Sequence, residues 1–344
     1  MRLGIIARSD NSGLGNQSRE LVNMLNPEKV LLINFQEFNK KKQHPDWYNK
    51  YDVIESNGYP DINTCKRFIQ GLDVILTCET FYHKDFVALA GRYGVKTVLQ
   101  YNFEFFESMR NPHGPVANTL LGPSLWGYDE VIRVLGKKAE VFHLPPPTNP
   151  DNFSKARENN LSKSHKRLLH IVGTAAVKDR NGTETVLEML KYSKSEYELV
   201  IRCQTEPTFK TTDSRVTIDY RDVEDQQDLY NGFDALVLPR RYAGLCLPMN
   251  EALVSGLPVF MTDVSPNNTI LPDEWLVPSK KISEFQARVI VDVYDGDAVK
   301  LAKLIDDYIE NANKKDIKEQ AYKIGLFNFD PKHLKEKYIK IINK

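Results

Sequence analysis

Short apolar runs alternate with helical patterns along both halves of this 344-residue chain, and this alternation constrains the fold more than any other feature. Strands that alternate with helices form βαβ units, which build parallel sheets and place ligands at the carboxyl ends of the strands. The sequence therefore predicts two Rossmann-like α/β domains, one in each half. The predicted strands span residues 3–7, 30–34, 74–77, 97–100, 168–172, 198–203, 216–220, 235–238 and 259–262, and the main predicted helices span residues 16–25, 86–93, 183–191 and 298–312.

A proline-rich segment separates the two halves. Residues 142–153, FHLPPPTNPDNF, can continue neither a helix nor a central strand. We therefore predict a first domain over residues 1–148 and a second domain from residue 149 onward.

The composition is that of a globular protein without an obvious charged partner. The hydrophobic fraction is 41%, the charged fraction is 27% and the formal net charge is zero, which weakens the case for nucleic acid or an anionic membrane as a partner. The four cysteines fall singly, without zinc-site spacing, and predict reduced thiols. No apolar run has the length of a membrane span or a signal peptide, so we expect a cytoplasmic protein without a transmembrane segment.

The last thirty residues are rich in lysine, with Asp and Glu interspersed. Mixed charges of this kind favour a solvated helix face over a binding patch. This interpretation includes Lys318.

Two glycines, Gly13 and Gly15, lie where the first predicted strand gives way to a helix. Glycines at this place let the backbone approach a ligand and leave helix N–H groups pointing into a cleft. Close packing of the turn is the alternative explanation.

The second domain opens in a similar way. Its first strand ends at Gly173, and a polar loop then carries Lys178 and Arg180 before Gly182 and the next helix. Two cations beside a helix N-terminus suit a diphosphate, because they neutralise charge on a leaving group. An exposed loop with solubilising cations is the alternative.

Residues 233–263 read as a strand, a glycine turn, a helix, a glycine-proline stop and a second strand. Gly244 and Leu245 belong to the turn, and Glu251 follows it on the helix. The turn offers backbone N–H groups to an anion, while a carboxylate accepts hydrogen bonds from both hydroxyls of a ribose. We therefore predict a sugar-nucleotide site, the alternative being a Glu that only favours the helix dipole.

The same run resembles the donor-site signature of GT-B glycosyltransferases, in particular the retaining family 4. The resemblance covers nearly the whole chain, from the glycine loop after the first strand to the closing FNFDPKHLKEKY. It implies a GT-B fold with two Rossmann-like domains across a cleft, the second over residues 149–325 and a C-terminal helix over residues 326–344 that crosses back to the first. The opening residues also resemble glycosyltransferases of phage and bacterial genomes.

The resemblance assigns roles to residues of the second domain. It implies that Glu251 holds the nucleotide ribose and that the backbone of Gly244 and Leu245 approaches the sugar and the β-phosphate. It further implies that Lys178 and Arg180 bind the diphosphate.

Two positions depart from the family pattern. Ala243 stands where the family usually has a glutamate that touches the donor sugar, and Thr174 stands where an arginine is common. We expect either a donor with an unusual hydroxyl pattern, or compensation by Arg240 or Arg241, or reduced activity.

The acceptor side is less clearly marked. The resemblance implies that Gly13 and Gly15 line the opposite side of the cleft, and that a histidine lies near the reacting centre. His83 follows the corresponding strand, and Glu79 and Glu104 fall in the same region as candidate acceptor-site residues. Each of the three also fits an ordinary loop or capping role.

We therefore expect a glycosyltransferase that moves a sugar from a UDP- or GDP-sugar to a hydroxyl acceptor with retention of configuration. No DxD-like pair ends a strand, so we expect no metal ion and no other cofactor. The expected acceptor is a glycan or lipid-linked sugar, and the expected assembly is a monomer or dimer. One alternative is a phage enzyme that modifies a hydroxylated DNA base or a virion protein in the host cytoplasm, and another is a non-catalytic sugar-nucleotide-binding module.

Overall fold

The computed structural model describes residues 1–35, 43–173, 179–204, 206–220, 223–242 and 244–344. The chain divides into two compact units. The first comprises Met1–Thr148, Ala287–Val289 and Pro331–Lys344, and the second comprises Asn149–Gln286 and Ile290–Asp330.

The first unit is built on one parallel sheet with helices on both faces. Its strands are β1 (Leu3–Ala7), β2 (Lys29–Asn34), β3 (Asp52–Asn57), β4 (Val74–Cys78), β5 (Lys96–Gln100), β6 (Thr119–Gly122) and β7 (Glu140–His143). Its α-helices are α1 (Gly13–Leu25), α2 (Ile62–Ile69), α3 (Phe86–Arg92), α4 (Glu107–Arg110), α5 (Tyr128–Leu135) and α11 (Pro331–Ile342), and its 3-10 helices span Pro45–Tyr48 and Phe103–Phe105. The strand order is β3-β2-β1-β4-β5-β6-β7, and every side chain of β1 and β4 is buried, as two covered faces require.

The second unit repeats this architecture. Its strands are β8 (Arg167–Gly173), β9 (Glu198–Cys203), β10 (Val216–Asp219), β11 (Ala235–Leu238), β12 (Val259–Thr262), β13 (Leu276–Val277), β14 (Ser279–Gln286) and β15 (Ile290–Gly296). Its α-helices are α6 (Ser154–Ser162), α7 (Thr183–Met189), α8 (Leu247–Val254), α9 (Ala298–Glu310) and α10 (Lys314–Phe329), and its 3-10 helices span Pro150–Phe153, Gln226–Leu229, Asn267–Thr269 and Asp273–Trp275. Six strands form a parallel sheet in the order β10-β9-β8-β11-β12-β13, while β14 and β15 form an antiparallel hairpin.

Both sheets have the same internal order, so each reverses its strand order once. The reversal lies between β1 and β4 in the first unit and between β8 and β11 in the second. In open parallel sheets a ligand binds outside the carboxyl ends of the strands at this reversal. The loops that follow these four strands are therefore the places for candidate binding groups.

The prediction of two Rossmann-like domains is confirmed, and the predicted strands agree with the observed ones to within two residues. Strands β3, β6, β7 and β13 and the β14–β15 hairpin were not predicted. Strand β3 has the sequence DVIESN and lies at the edge of its sheet, where it is only partly buried. It therefore lacks the apolar run that identified the central strands.

Helix α11 belongs to the first unit. It buries Leu334, Tyr338 and Ile342 in the cluster that also contains residues of α1 and β1. The Tyr338 hydroxyl donates to the carbonyl of Pro145 at 2.9 Å and accepts a hydrogen bond from Gln100 Nε2 at 2.8 Å. The end of the chain is thus fixed by polar contacts as well as by apolar packing.

The expectation of a solvated lysine face is wrong for Lys318. This side chain is 2% exposed, and its ammonium group lies 2.7 Å from Asp234 Oδ1 and 2.7 Å from the carbonyl oxygen of Asn160. A buried charge of this kind needs a paired and hydrogen-bonded partner. Lys318 therefore joins α10 to the start of β11 and to α6.

Candidate functional site

The first loop at the strand reversal of the second unit follows β8. Strand β8 ends at Gly173, whose φ of 75° lies in the left-handed region that glycine favours. Lys178 and Thr174 fall outside the described residues. The description resumes at Asp179, one residue before Arg180.

Asp179 occupies the N-terminus of α7. Its carboxylate accepts hydrogen bonds from the amides of Thr183 at 2.7 Å and Glu184 at 3.0 Å. The sequence pattern predicted that this helix end would face a diphosphate and gave no sign that Asp179 occupies it. Since a protein carboxylate already binds these two amides, Arg180 and the arginines of the neighbouring β11–α8 loop are the better candidates for binding an anion here.

The loops after β8 and β11 are packed backbone against backbone. Gly182 has a φ of 74°, and a Cβ atom added to it would lie 2.1 Å from the carbonyl oxygen of Pro239. The amide of Arg241 also donates to the carbonyl of Arg180 at 2.8 Å. Arg180 is therefore held beside the turn that leads from β11 to α8.

Three arginines meet at this place, and they differ in their partners. The Arg180 guanidinium lies over the ring of Tyr242, 5.0 Å from its centroid. Arg241 is paired with Asp295 at 2.8 Å. Arg240 is 4% exposed and donates through Nε to the carbonyl of Tyr242 at 3.1 Å, and no carboxylate of the described residues lies within 4.0 Å of its guanidinium nitrogens.

Arg240 is consequently the candidate for an external anion. A buried guanidinium without a carboxylate is costly unless a ligand supplies the negative charge. Arg240 and Arg241 were expected to compensate for the two positions that depart from the family pattern, Ala243 and Thr174. Of these two arginines, Arg241 is already neutralised by Asp295. Ala243, one of those departures, lies outside the described residues.

The turn before α8 and the helix itself agree with the strand-turn-helix predicted for residues 233–263. Gly244 has a φ of 149°, a conformation that side chains rarely adopt, and Leu245 is half-buried. Helix α8 begins at Leu247, and Pro248 lies in its first turn, where its missing N–H costs nothing.

Glu251 is the fifth residue of α8 and lies beyond its first turn. The helix dipole acts most strongly within the first turn, so it does not explain a carboxylate at this position. It is 7% exposed, and its two carboxylate oxygens accept hydrogen bonds from the Tyr230 hydroxyl at 2.5 Å and from Gln226 Nε2 at 2.6 Å. Burial, followed by the charge of Glu251, raises the pKa of Tyr230 well above its ordinary value, so the phenol stays protonated and donates. Tyr230 and Gln226 thus orient the carboxylate, and sequence reasoning missed both.

A buried histidine connects the strands at this edge. His170 donates from Nδ1 to the carbonyl of Val237 at 2.8 Å, and its Nε2 lies 3.0 Å from Thr183 Oγ1, from which it accepts. Burial lowers its pKa, so the ring is neutral at pH 7. His170 therefore holds β8, β11 and α7 together as a structural residue.

In the first unit, the two predicted glycines flank the start of α1. Gly13 is the first residue of the helix and is exposed, whereas Gly15 is buried. A Cβ atom at Gly15 would lie 1.9 Å from the carbonyl oxygen of Asp10, and the Gly15 amide donates to Ser12 Oγ at 3.1 Å. Close packing of the turn explains Gly15, while Gly13 lies open at the carboxyl edge of the sheet.

The acceptor-side candidates have different surroundings. Glu79 follows β4 with a φ of 65° and accepts a hydrogen bond from Asn102 Nδ2 at 2.7 Å. The Glu104 side chain is buried, and its carbonyl accepts the amide of Arg288 at 3.0 Å. His83 Nδ1 accepts the amide of Asp85 at 3.1 Å, a local hydrogen bond within the loop before α3.

Within the described ranges, no group of three or more His, Cys, Asp or Glu side chains is arranged to hold a metal ion. None of the helices found there has the length and apolar character needed to span a bilayer. All four cysteines are free and buried.

Comparison with known proteins adds a family match and a set of structural neighbours. Residues 165–294 match the family described as glycosyl transferases group 1, which places the match on the loops and helices of the candidate site. No curated protein sequence matches the chain.

The fold is shared with several solved structures. Sucrose-phosphate synthase from Thermosynechococcus elongatus is 14% identical with a TM-score of 0.68, covering 99% of this chain and 98% of that one. Anabaena HepE, solved in complex with UDP and glucose, is 12% identical with a TM-score of 0.67 and 99% coverage of both chains. An α-glucosyltransferase in complex with UDP is 10% identical with a TM-score of 0.62 and 100% coverage of both chains.

These likenesses confirm the GT-B fold over essentially the full length of the chain. Together with the family match on the second unit, they identify the chain as a glycosyltransferase.

Proposed function

We propose that this glycosyltransferase transfers a sugar from a UDP-sugar to a hydroxyl acceptor, with retention of configuration and without a metal ion. The donor site is the carboxyl edge of the second sheet, where the loops after β8 and β11 meet. In this proposal Glu251 binds the ribose hydroxyls, and Arg180, Lys178 and Arg240 bind the diphosphate.

The observation that carries the proposal is that one strand reversal holds both an oriented carboxylate and a buried arginine that no carboxylate of the described residues neutralises. Glu251 is held by Tyr230 and Gln226, while Arg240 has no carboxylate within 4.0 Å among the described residues. A nucleoside diphosphate offers a diol for the carboxylate and a dianionic group for the arginine. The UDP carried by two of the structural neighbours supports uracil as the base of the donor nucleotide.

The remaining backbone of the turn completes the donor site. We assign Gly173, Gly244 and Leu245 to close approach of the backbone to the phosphates and the sugar, because the two glycines adopt conformations that leave no side chain in the way. Gly13 lies at the corresponding edge of the first unit and is assigned to the acceptor side, as are Glu79 and Glu104.

The reaction breaks the bond between the anomeric carbon and the β-phosphate oxygen and forms a bond from that carbon to the acceptor oxygen. The acceptor hydroxyl gives its proton to the departing β-phosphate oxygen, and UDP leaves with the electron pair of the broken bond. Cations beside the β-phosphate stabilise the charge that develops there, which is the main electrostatic task in such a transfer. The enzyme supplies position and charge rather than a nucleophile of its own.

The test is a panel of UDP- and GDP-sugars, with nucleotide release measured by chromatography and binding measured by thermal shift. We expect UDP and one UDP-sugar to stabilise the protein, and Glu251→Gln to weaken UDP affinity at least tenfold, which is about 1.4 kcal/mol. Arg240→Gln is expected to weaken UDP more than uridine, because the nucleoside lacks the diphosphate.

Tyr230→Phe is the matched control for Glu251. It keeps the carboxylate but removes one hydrogen bond that orients it, so its effect on UDP affinity should be smaller than that of Glu251→Gln. Unchanged UDP affinity in Glu251→Gln would refute the ribose assignment, and binding without nucleotide release under any acceptor condition would identify a binding module instead.

A further inference from the structure

The β14–β15 hairpin contacts the turn between β11 and α8 through backbone and side chains. Residues 239–242 and 244–246 of this turn are here called the donor turn. The amide of Tyr294 donates to the carbonyl of Arg241 at 2.7 Å, and Asp295 lies 2.8 Å from the Arg241 guanidinium. Strand β15 is therefore fixed to the donor turn at the residue that follows Arg240.

The end of the hairpin is packed tightly against the sheet of the second unit. A Cβ atom added to Gly296, the last residue of β15, would lie 2.8 Å from Thr262 Cγ2 and 3.7 Å from Pro239 Cβ. Val291 and Val293 of the same strand are buried. Because of this packing, the hairpin has a fixed position relative to the donor turn.

Aromatic contacts connect the hairpin to an arginine of the proposed diphosphate site. Phe285 of β14 meets Tyr242 of the donor turn edge-to-face, with ring centroids 5.2 Å apart. The Arg180 guanidinium lies over the Tyr242 ring at 5.0 Å from its centroid. Both distances lie in the range of favourable aromatic and cation–π contacts, and a cation–π contact is stronger where the ring is desolvated, as the 2% exposure of Tyr242 indicates.

Tyr242 contacts two arginines of the proposed diphosphate site and leaves its own hydroxyl unused. Its ring faces Arg180, and its carbonyl accepts from Arg240 Nε at 3.1 Å. The Tyr242 hydroxyl is buried and has no hydrogen-bond partner among the described residues. The ring and the carbonyl therefore carry the role of this residue, and neither of them adds a carboxylate that would compete with a bound anion.

We propose that the β14–β15 hairpin positions the arginines that bind the donor diphosphate, through Phe285 acting on Tyr242 and Tyr242 acting on Arg180 and Arg240. A long arginine side chain loses less freedom on binding when its orientation is already fixed. Cations held in place before the reaction also stabilise the departing phosphate without reorganisation. The inference rests on the proposed function and assigns the hairpin to recognition of the diphosphate rather than of the nucleoside.

The experiment titrates the full chain with UDP, uridine and inorganic pyrophosphate by calorimetry. We expect Phe285→Ala to weaken UDP and pyrophosphate by about threefold or more, because Tyr242 loses its support against Arg180. Uridine affinity should stay within about twofold of the wild type, since uridine lacks the phosphates that the arginines bind. A general loosening of the second unit would weaken uridine as well.

Two substitutions of Tyr242 separate its ring from its hydroxyl. Tyr242→Leu should weaken UDP by about fivefold or more, because it removes the ring that faces Arg180. Tyr242→Phe should restore the affinity to within about twofold of the wild type, since it keeps the ring and loses only an unpaired hydroxyl.

Ile282→Ala is the matched control. Ile282 is an apolar residue of the same strand as Phe285, and it is 46% exposed. Its truncation should change neither UDP nor pyrophosphate affinity. Urea unfolding of each variant verifies that the second unit is still folded at the titration temperature.

Three results would overturn the inference. They are equal UDP affinity in Phe285→Ala and wild type, a loss of uridine affinity as large as the loss of UDP affinity, and a loss of about tenfold in Tyr242→Phe, which would show that the hydroxyl itself takes part. Wild-type protein that binds neither UDP nor pyrophosphate would refute the diphosphate site together with the inference. If pyrophosphate binding depends on Phe285 while UDP does not bind, the nucleotide assignment falls and the positioning role stands.

Discussion

At the scale of single residues, burial decides what each polar group near the site does. His170 in β8 and Glu251 in α8 are both buried. His170 satisfies both ring nitrogens within the fold, and Glu251 has both carboxylate oxygens oriented by neighbours. The first is a structural residue, whereas the second presents a fixed carboxylate to the site.

The neutral His170 predicts a pH dependence of stability. Its pKa is lowered by burial from the ordinary 6.5, so the unfolded state binds the extra proton first as the pH falls. The stabilisation is complete above pH 6.5 and is lost as the pH falls toward the folded pKa, by at most about 1.4 kcal/mol per pH unit. Urea unfolding at pH 7.5, 6.5 and 5.5 measures this slope.

His170→Gln should reduce the slope of the free energy of unfolding against pH. Only the slopes of variant and wild type are compared, so a variant of lower absolute stability still gives a valid test. Burial also lowers the pKa of His143, so part of the slope remains in that variant. The exposed His113→Gln is the control. An identical slope in His170→Gln and wild type would contradict the assignment.

At the scale of elements, the candidate donor site depends on two loops that touch through their backbones. The two loops touch at Gly182, where the carbonyl of Pro239 leaves no room for a Cβ atom. The φ of 74° at Gly182 is also a backbone conformation that favours glycine. This contact and the hydrogen bond between Arg241 and Arg180 hold Arg180 beside the β11–α8 turn.

Gly182→Ala should therefore lower the free energy of unfolding by about 3 kcal/mol or more, combining positive-φ strain with displacement of the Pro239 loop. It should also weaken UDP binding, since Arg180 moves with its loop. Gly94→Ala is the matched control, because Gly94 has a φ of 69° but nothing within 4 Å of a Cβ atom, so only the strain applies. Equal losses in the two variants would show that the loop contact adds nothing.

At the scale of the whole molecule, the chain leaves the second unit after Asp330 and ends in the first as α11. Tyr338 anchors this helix through burial and through its hydrogen bonds with Gln100 and Pro145. The first unit therefore depends on residues that are distant in sequence.

Tyr338→Ala should destabilise the first unit by about 3–5 kcal/mol, because it removes a buried ring and the hydrogen bond that this hydroxyl accepts from Gln100. The exposed Lys337→Ala on the same helix should change stability by less than about 0.5 kcal/mol. Denaturant unfolding followed by tryptophan fluorescence reports the effect in a Trp275→Phe background, where the remaining Trp47 and Trp126 both lie in the first unit. A loss under 1 kcal/mol in Tyr338→Ala would show that α11 is dispensable to that unit.

The sequence by itself determined the class of fold and the strand-turn-helix to which we assign the donor site. Alternating apolar runs identify buried parallel strands, because such strands need apolar side chains on both faces. The strand-turn-helix of residues 233–263 likewise predicted the turn at Gly244 and the helix that carries Glu251, since these features depend on local backbone preferences.

Only the tertiary structure decided which groups are neutralised and which remain for a ligand. Asp179 binds the N-terminal amides of α7, and Asp295 pairs with Arg241. Tyr230 and Gln226 orient the carboxylate of Glu251. Lys318 pairs with Asp234 inside the second unit. The ring contacts among Phe35, Tyr59 and Tyr82 appear in no local pattern either, because the three rings follow three different strands. Such contacts join residues far apart in the chain, and their energies depend on distance and burial, which exist only once the sheet has assembled.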